Sequence, residues 1–237
     1  MQKAQGALEY LLLIGGAVLV AVIVITLILS IAGTGETQVT TSATTAFDKI
    51  REAAGGGTAS FFDNFSDGDY TSNPVWTTTG SNIIWSVTGG KFRHAATADG
   101  WKFAQDLTGS YGDHTFEFDF TPVSGTSYMG AVYRNSNTSG STNSMLLYRY
   151  YAWNYWRLYD WSTGQIVDLT DPITGAAWVN GTTYRIKLVV IGQNVKLYVN
   201  GVYAGEDNFT GHATGGIGLL SYGAQTIDYD NVKVTET

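Results

Sequence analysis

The stretch HTFEFDF at positions 114–120 decides the fold, because its side chains alternate strictly between apolar and polar. Phe116, Phe118 and Phe120 lie two residues apart, and an acidic residue separates each from the next. Successive side chains of a β-strand point to opposite faces, so this pattern predicts a strand with one buried and one solvent-facing side. The chain is therefore expected to form a sheet that covers a core with one face.

Strand patterns continue on both sides of this stretch. From Ser60 onward about a dozen short apolar runs are separated by Gly, Asn and Asp clusters, with no helical periodicity between them. Asn200-Gly201 predicts a type I′ hairpin, and Gly192-Gln193-Asn194 predicts a second turn. The arrangement favours an all-β sandwich. The strands predicted with the clearest bounds are Tyr184–Val190, Val195–Val199, Ile217–Ser221 and Ile227–Val234.

Composition limits the possible functions. The 237 residues suffice for one sizeable β domain and an appendage, and the 29 glycines suit many tight turns. The chain has no cysteine, which excludes disulfides and thiolate metal sites. Its net charge of -7 argues against nucleic acid as a partner, because phosphates attract basic surfaces.

The N-terminal region contains a long apolar segment. Tyr10 to Ala32 reads YLLLIGGAVLVAVIVITLILSIA and carries no charged residue. About 20 residues of helix cross a hydrocarbon core of roughly 30 Å, so the segment is long enough to span a membrane. A secretory signal cleaved near Ala32-Gly33-Thr34 is the alternative.

The residues before the apolar segment resemble a known family. Gln5, Ala7, Glu9 and Leu13 follow the spacing of archaeal class III signal-peptide proteins, which are similar to type IV pilins. The resemblance implies that a prepilin peptidase cuts between Ala4 and Gln5 and leaves the helix attached. The helices of several copies would then form a filament core, in which Glu9 pairs with the free amine of a neighbouring copy.

Four regions follow from these patterns. Residues 1–4 are the expected leader, 5–33 the hydrophobic transmembrane or filament-core helix, 34–57 a polar and partly helical linker, and 58–237 a β-sandwich domain. The fold class is thus a long N-terminal hydrophobic α-helix followed by an all-β sandwich.

The β region resembles the concanavalin A-like lectin/glucanase jelly roll, within the laminin-G-like group. The resemblance covers roughly residues 60–236 and implies a jelly-roll sandwich; lectins, hydrolases and spacers all use this fold. The segments that carry it are FDNFSDG at 62–68, WSV at 85–87, GGKF at 89–92, GTTYRIK at 181–187, KLYVNG at 196–201 and DYDNVKV at 228–234.

Catalysis is not expected. Some glucanases of this fold carry Glu-x-Asp-x-x-Glu on one strand, and retaining glycosidases need two carboxyl groups about 5–5.5 Å apart. Glu117 and Asp119 begin this pattern, but Pro122 occupies the position of the third carboxylate. The three histidines are scattered without zinc-ligand spacing. Exposed acidic residues of an amphipathic strand are the simpler interpretation.

The most aromatic stretch, residues 148–161, is a candidate carbohydrate-binding segment. Alternation predicts Tyr148 and Tyr150 on one face, and Arg149, Tyr151 and Trp153 on the other, away from the main core. Rings beside polar groups stack on sugars, but they also pack subunits together or fill a core. The candidate carbohydrate-binding residues are Tyr151, Trp153 and Trp156.

Modification and metal sites complete the predictions. Four N-glycosylation sequons begin at Asn64, Asn137, Asn180 and Asn208, all in the β domain. No cofactor is certain; the resemblance implies a structural calcium ion with Asp63 and Asp230 as ligands. Exposed acidic residues without a metal are the alternative.

These observations predict an extracellular surface filament built by self-assembly through the N-terminal helix. The precursor would be anchored in the membrane with its β domain outside, and that domain would serve adhesion, with surface glycans as partners. The alternative is a membrane-anchored sugar-binding or degenerate hydrolase-like protein that does not polymerise.

Overall fold

The computed structural model describes residues 59–72, 74–79, 83–136, 144–172 and 177–237. The chain divides into residues 1–54 and 55–237, and every described residue belongs to the second unit. The predicted leader, hydrophobic helix and linker lie outside the described residues, as do Ala4, Gln5 and Glu9. Within the described part of the chain, no helix is long and apolar enough to cross a membrane.

The described residues form fifteen β-strands. They are β1 (Ala59–Asp63), β2 (Thr77–Thr79), β3 (Ile83–Val87), β4 (Phe92–Ala96), β5 (Trp101–Tyr111), β6 (His114–Gly125), β7 (Tyr128–Asn135), β8 (Met145–Tyr150), β9 (Tyr155–Asp160), β10 (Ile166–Thr170), β11 (Tyr184–Ile191), β12 (Asn194–Val199), β13 (Val202–Asn208), β14 (Gly215–Tyr222) and β15 (Gln225–Glu236).

The strands assemble into two antiparallel sheets. Sheet I has the order β13-β12-β11-β6-β15-β4-β3, and β1 also pairs with β15. Sheet II has the order β10-β9-β8-β7-β14-β5-β2. Chain-distant strands are neighbours in both sheets, as in a jelly roll, and the predicted all-β sandwich is confirmed.

Strand β6 lies at the centre of sheet I, between β11 and β15. Phe116, Phe118 and Phe120 are buried between the sheets, as the alternation predicts. The strand extends beyond the predicted end and includes Pro122, which has no N–H to donate. Proline is tolerated there because the pairing with β11 stops at Phe120 and the register with β15 shifts beside Ile227.

The predicted hairpin at Asn200-Gly201 is confirmed. Both residues have positive φ, 49° and 80°, as a type I′ turn requires. The turn joins β12 to β13, and the Asn200 side chain accepts a hydrogen bond from the Arg185 N–H at 2.7 Å. The turn at Gly192 likewise joins β11 to β12, with φ of 56° at the glycine.

Sheet II contributes the other half of the core through the inward side chains of its central strands. Trp156 of β9 is 1% exposed and meets Phe120 of sheet I edge to face, with ring centroids 6.1 Å apart. Tightly packed interiors of this kind tolerate little change in volume. The other inward residues of sheet II include Ala104, Met129, Ala131, Tyr133, Met145, Leu147, Leu158, Leu169, Ile217 and Leu219.

Gly130 in β7 is expected to reject any side chain. A Cβ atom at this position would overlap the backbone carbonyl oxygen of Leu147 in β8. Because a backbone atom cannot rotate away, Gly130→Ala should lower the free energy of unfolding by about 1–3 kcal/mol. Gly112→Ala is the matched control, since its Cβ would meet only the Thr214 methyl at 3.7 Å; an effect within about 0.5 kcal/mol is expected there. Urea denaturation measures both, and equal losses would contradict the prediction.

His94 makes stability depend on pH. It is fully buried beside Trp85, and neither ring nitrogen has a hydrogen-bond partner among the described residues. Burial, helped by the nearby Lys102 charge, lowers the pKa of His94 to about 4. The unfolded chain binds this proton near pH 6.5, so acidification from about 6.5 to about 4 should remove on the order of 3 kcal/mol of stability.

The variant His94→Leu should abolish this acid-sensitive contribution. The variant is expected to gain stability relative to wild type as the pH falls from 7 to 5, measured by urea denaturation at each pH. Asp63 acts in the opposite direction, because burial raises its pKa to about 6 and the folded state then binds the proton first. Asp63→Asn should therefore steepen the acid loss. Parallel pH profiles for wild type and His94→Leu would rule the assignment out.

Candidate functional site

The outer face of sheet II collects half-buried aromatic side chains, which we call the aromatic face. Directly opposed residues of paired strands share a face, so the strand register shows which side chains meet. The members are Trp101, Tyr128, Tyr148, Tyr150, Trp153, Tyr155, Tyr159, Trp161 and Tyr222, and all nine are intermediate in exposure.

One row of this face is aromatic across four neighbouring strands. Trp101 of β5 is opposite Tyr222 of β14, which is opposite Tyr128 of β7. Tyr128 is in turn opposite Tyr150 of β8. Ring centroids along the row are 5.1, 5.7 and 4.9 Å apart. Four consecutive strands thus present a continuous row of rings.

The next row combines apolar and charged residues. Leu220 and Gly130 are opposed across β14 and β7, and Gly130 is opposite Tyr148 of β8. The row continues through Arg157 of β9 to Asp168 of β10. Gly130 leaves the surface low between two larger side chains. Because β10 is the edge strand, the Arg157–Asp168 pair lies at the edge of sheet II.

Trp153 occupies the turn between β8 and β9 and contacts both rows. Its ring stacks on Tyr155, with centroids 4.5 Å apart and planes within 16°. It also meets Tyr128 edge to face at 5.4 Å. The Arg157 guanidinium lies over the Trp153 ring, 4.9 Å from its centroid, and 5.5 Å from the Tyr155 ring centroid. Trp153 therefore links the aromatic row to the charged end of the second row.

Arg157 and Asp168 form a bidentate ion pair. Nε and Nη2 of Arg157 donate to the two carboxylate oxygens of Asp168 at 2.7 and 2.9 Å. These bonds, and a further one to the Tyr148 hydroxyl, raise the pKa of Arg157 above its ordinary value. Burial raises the pKa of Tyr148, opposed by its bond to Arg157. The pair is fixed in geometry and neutral in sum.

Beneath and beside these rings lies a small second hydrophobic cluster, separate from the main core. It consists of Phe103, Val132, Leu146 and Leu220, each no more than 3% exposed. Trp101, Tyr148, Tyr159 and Trp161 pack against it. The aromatic face therefore has an apolar support that holds its rings in place.

The structure separates the three aromatic residues predicted to bind carbohydrate. Trp153 belongs to the aromatic face, whereas Tyr151 packs against the main core. The prediction that Trp156 contacts carbohydrate is wrong, because its ring is 1% exposed and lies in the core, out of reach of a ligand at the surface. For Trp156 the alternative of core packing holds.

The predicted face of Arg149 is also corrected. Arg149 points inward and is fully buried, and Trp153 lies with Tyr148 and Tyr150 rather than opposite them. Arg149 follows the alternation of β8 with its inward face reversed from the one expected, and the turn that begins at Tyr151 interrupts the alternation before Trp153.

Sequence reasoning missed three of the nine residues of the aromatic face. Trp101, Tyr128 and Tyr222 are distant in sequence and come together only through the order of β5, β14 and β7 in sheet II. The signal available was weak: each is an aromatic residue at one end of a strand whose neighbours in the sheet the sequence does not reveal.

Glu117 and Asp119 lie in sheet I, whereas the aromatic face belongs to sheet II. Nε and Nη2 of Arg185 donate to the two oxygens of Asp119, at 2.7 and 2.8 Å. The Asn231 side chain donates a further bond to Asp119 at 2.9 Å. Asp119 thus takes part in a polar network that ties β6, β11 and β15 together.

The two predicted calcium ligands lie on the first and last strands, which pair with each other. Asp63 accepts hydrogen bonds from the Phe65 N–H at 2.8 Å and the Trp76 indole at 2.7 Å. Burial raises the pKa of Asp63, and the charges of Asp67 and Asp230 raise it further. Among the described residues, no group of three or more His, Asp or Glu side chains is placed to hold a metal. The two hydrogen bonds give each oxygen of Asp63 a partner within the protein. The calcium site stays a prediction.

Three of the four sequon asparagines can be located. Asn180 lies in an exposed turn and Asn208 is exposed at the end of β13. The Asn64 side-chain oxygen accepts bonds from the N–H and hydroxyl of Ser66 at 3.2 and 2.8 Å. Asn137 lies outside the described residues. Their glycosylation stays a prediction.

Comparison with known proteins bears on both regions of the chain. Residues 2–28 match the family model described as Class III signal peptide. No curated protein matches the chain. Similar solved structures include the carbohydrate-binding module CBM66 from Bacillus subtilis, with 18% identity, 68% of this chain and 96% of that chain covered, and a TM-score of 0.56. A Bacillus subtilis protein with a galectin-like fold is 13% identical, with 75% of this chain and 96% of that chain covered and a TM-score of 0.62. A Bacillus licheniformis beta-glucanase is 13% identical, with 76% of this chain and 99% of that chain covered and a TM-score of 0.55.

The chain thus joins a class III signal peptide to a jelly-roll domain of the concanavalin A and galectin type. This signal peptide indicates a secreted, surface-exposed protein and implies processing by a prepilin peptidase and association with a membrane. At these identities the structural likeness establishes the fold alone.

Proposed function

We propose that this protein is a structural subunit of an archaeal type IV pilus-like surface filament whose jelly-roll domain binds carbohydrate. The aromatic face carries the proposal for the domain. The N-terminal segment would build the filament core, and the domain would form the outer surface and mediate adhesion.

The proposal for assembly is supported by the class III signal peptide at residues 2–28. Processing before Gln5 frees an amine four residues ahead of Glu9. A carboxylate in an apolar core needs a partner, because burying it alone costs several kcal/mol. The amine of a neighbouring copy would supply that partner and fix the axial position of each subunit.

The proposal for carbohydrate binding is supported by the row of rings across four strands. Aromatic rings have flat apolar faces that pack against the C–H surfaces of sugars, and neighbouring hydroxyl and charged groups can hydrogen-bond sugar hydroxyls. Arg157, Asp168 and the Tyr148 hydroxyl supply such groups beside Trp153. One structural neighbour is itself described as a carbohydrate-binding module.

The proposed role is non-catalytic. The carboxylate in the rows described above, Asp168, is bonded through both oxygens to Arg157. A retaining glycosidase needs a pair of carboxyl groups about 5–5.5 Å apart, one of them available as an acid. Glu117 and Asp119 are in the other sheet.

A second candidate is a membrane-anchored carbohydrate-binding protein that does not polymerise. The same aromatic face supports binding in either case, so only assembly separates the two. Glu9→Ala should abolish cell-surface filaments while leaving processed protein in the membrane, as seen by electron microscopy and immunoblotting. Unchanged filaments in this variant, or their absence from wild-type cells, would favour the second candidate.

Binding is tested on a glycan array with the purified full chain in detergent micelles. We expect Trp153→Ala to weaken binding at least about tenfold, as removal of a central aromatic contact does. Tyr203→Ala is the matched control, because Tyr203 is half exposed on β13 of sheet I. No binding by the wild-type chain to any glycan would reject the proposal for the domain.

A further inference from the structure

We propose that the aromatic face selects neutral oligosaccharide chains and discriminates against acidic ones, through the Arg157–Asp168 pair. This inference rests on the proposed carbohydrate binding and adds the chemical class of the ligand. It follows from the hydrogen bonds that Arg157 makes within the protein, from the net charge of the chain and from the length of the aromatic face.

The Arg157 guanidinium already has hydrogen-bond partners within the protein. Two of its nitrogens donate to Asp168 at 2.7 and 2.9 Å, and the Tyr148 hydroxyl takes a further bond. Its planar surface lies over the rings of Trp153 and Tyr155. To bind Arg157, a sugar carboxylate or sulfate would have to displace Asp168 from its bidentate pair or lie close to the Asp168 carboxylate. Two like charges so placed repel each other, and among the described residues of the aromatic face Arg157 is the cation and it is already paired.

The pair remains suited to neutral sugars. Carboxylate oxygens each have more than one lone pair, so Asp168 can accept a hydrogen bond from a sugar hydroxyl without giving up Arg157. The Asp168 side chain is 42% exposed and the Arg157 side chain 22%, so a ligand can reach both. A hydroxyl group gains this bond without bringing a charge.

The charge of the whole chain acts in the same direction. With 20 acidic and 13 basic residues, the net charge is -7. A field of this sign slows the approach of polyanions such as uronic-acid polymers, and the effect weakens with added salt. Neutral chains are not affected.

The face is longer than one sugar ring. Trp153 and Tyr155 stack at one end of β9, and Tyr159 and Trp161 meet at 5.3 Å at the other. Tyr155 and Tyr159 are four residues apart on one strand and therefore about 13 Å apart. A monosaccharide would touch one of these two ring pairs, whereas an oligosaccharide would reach both.

The experiment measures affinities of the full chain in detergent micelles by calorimetry. The ligands are neutral gluco-, manno- and galacto-oligosaccharides of increasing length, and uronic-acid oligosaccharides of matched lengths. We expect neutral affinity to rise with length until both ring pairs are reached, and uronic-acid ligands to bind at least tenfold more weakly. Trp161→Ala should remove the gain with length, so that long and short neutral ligands bind with similar affinity.

Asp168→Asn tests the ion pair directly. The variant removes the negative charge beside Arg157 together with a hydroxyl acceptor, so the ratio of affinity for uronic-acid ligands to affinity for neutral ligands should rise about tenfold. Glu206→Gln is the matched control. It changes the net charge equally, but Glu206 pairs with Lys196 in sheet I, and neither ligand class should respond.

The outcomes separate this inference from the proposed function. Stronger binding of acidic than of neutral ligands by wild type would overturn the inference and leave carbohydrate binding intact. An unchanged preference in Asp168→Asn, or no gain with length, would also overturn it. Absence of binding to every sugar would reject the proposed function itself.

Discussion

Asp171→Asn should destabilise the domain by about 3–5 kcal/mol, among the largest effects expected from any single substitution here. Asp171 pairs with Arg149 at 3.0 Å, and the two side chains are 2% and 1% exposed. The guanidinium also lies 5.2 Å from the ring centroid of Trp178 and donates to the Tyr151 carbonyl oxygen at 3.3 Å. Removing the carboxylate charge leaves a buried cation without its counter-charge.

The matched control is Asp168→Asn, which breaks the pair with Arg157. That pair has two hydrogen bonds, at 2.7 and 2.9 Å, but its carboxylate is 42% exposed, so the loss should be at most about 1 kcal/mol. Urea denaturation monitored by tryptophan fluorescence measures both variants.

A double variant, Arg149→Met with Asp171→Leu, should recover much of the lost stability, because apolar groups of similar size need no counter-charge. Equal effects of Asp171→Asn and Asp168→Asn would show that burial does not govern the strength of these pairs.

Trp156→Ala should cost about 3–5 kcal/mol, as removal of a large core side chain does. The ring is 1% exposed and packs against Phe120 across the two sheets, so truncation leaves a cavity that neither sheet can close. The expected result is a large fall in the urea midpoint, with any loss of binding following from unfolding rather than preceding it.

Trp153→Ala is the control for this prediction. Trp153 is only three residues away and of the same type, but it is partly exposed on the aromatic face. Its removal should lower stability by less than half as much while weakening carbohydrate binding at ligand concentrations where the protein is folded. Comparable stability losses in both variants would contradict the assignment of Trp156 to the core and Trp153 to the surface.

Local pattern was sufficient for the elements themselves. The alternation around Phe118 identified a central strand, and Asn200-Gly201 identified a hairpin with both residues at positive φ. These signals are reliable because alternation and turn chemistry depend on neighbours in the chain. The class III signal peptide was recognised for the same reason, since its spacing from Gln5 to Leu13 is contiguous.

The candidate site was only partly predictable. The segment 148–161 was correctly singled out for its aromatic content, but Arg149 and Trp153 were assigned to the same face, whereas they lie on opposite faces. Arg149 keeps the alternation of β8 and points inward, the reverse of the face assigned to it, whereas the turn at Tyr151 breaks the alternation and places Trp153 outward. A one-residue change of phase reverses every side chain that follows.

The sequence by itself determined that this is an exported β-sandwich protein with an apolar N-terminal segment, because hydrophobic length and period-two alternation are local properties. Tertiary structure alone decided that Trp101, Tyr222, Tyr128 and Tyr150 form one row, and that Arg157 meets Asp168 beside it. The physical reason is that a jelly roll places chain-distant strands side by side, and the register of their hydrogen bonds sets which side chains face each other.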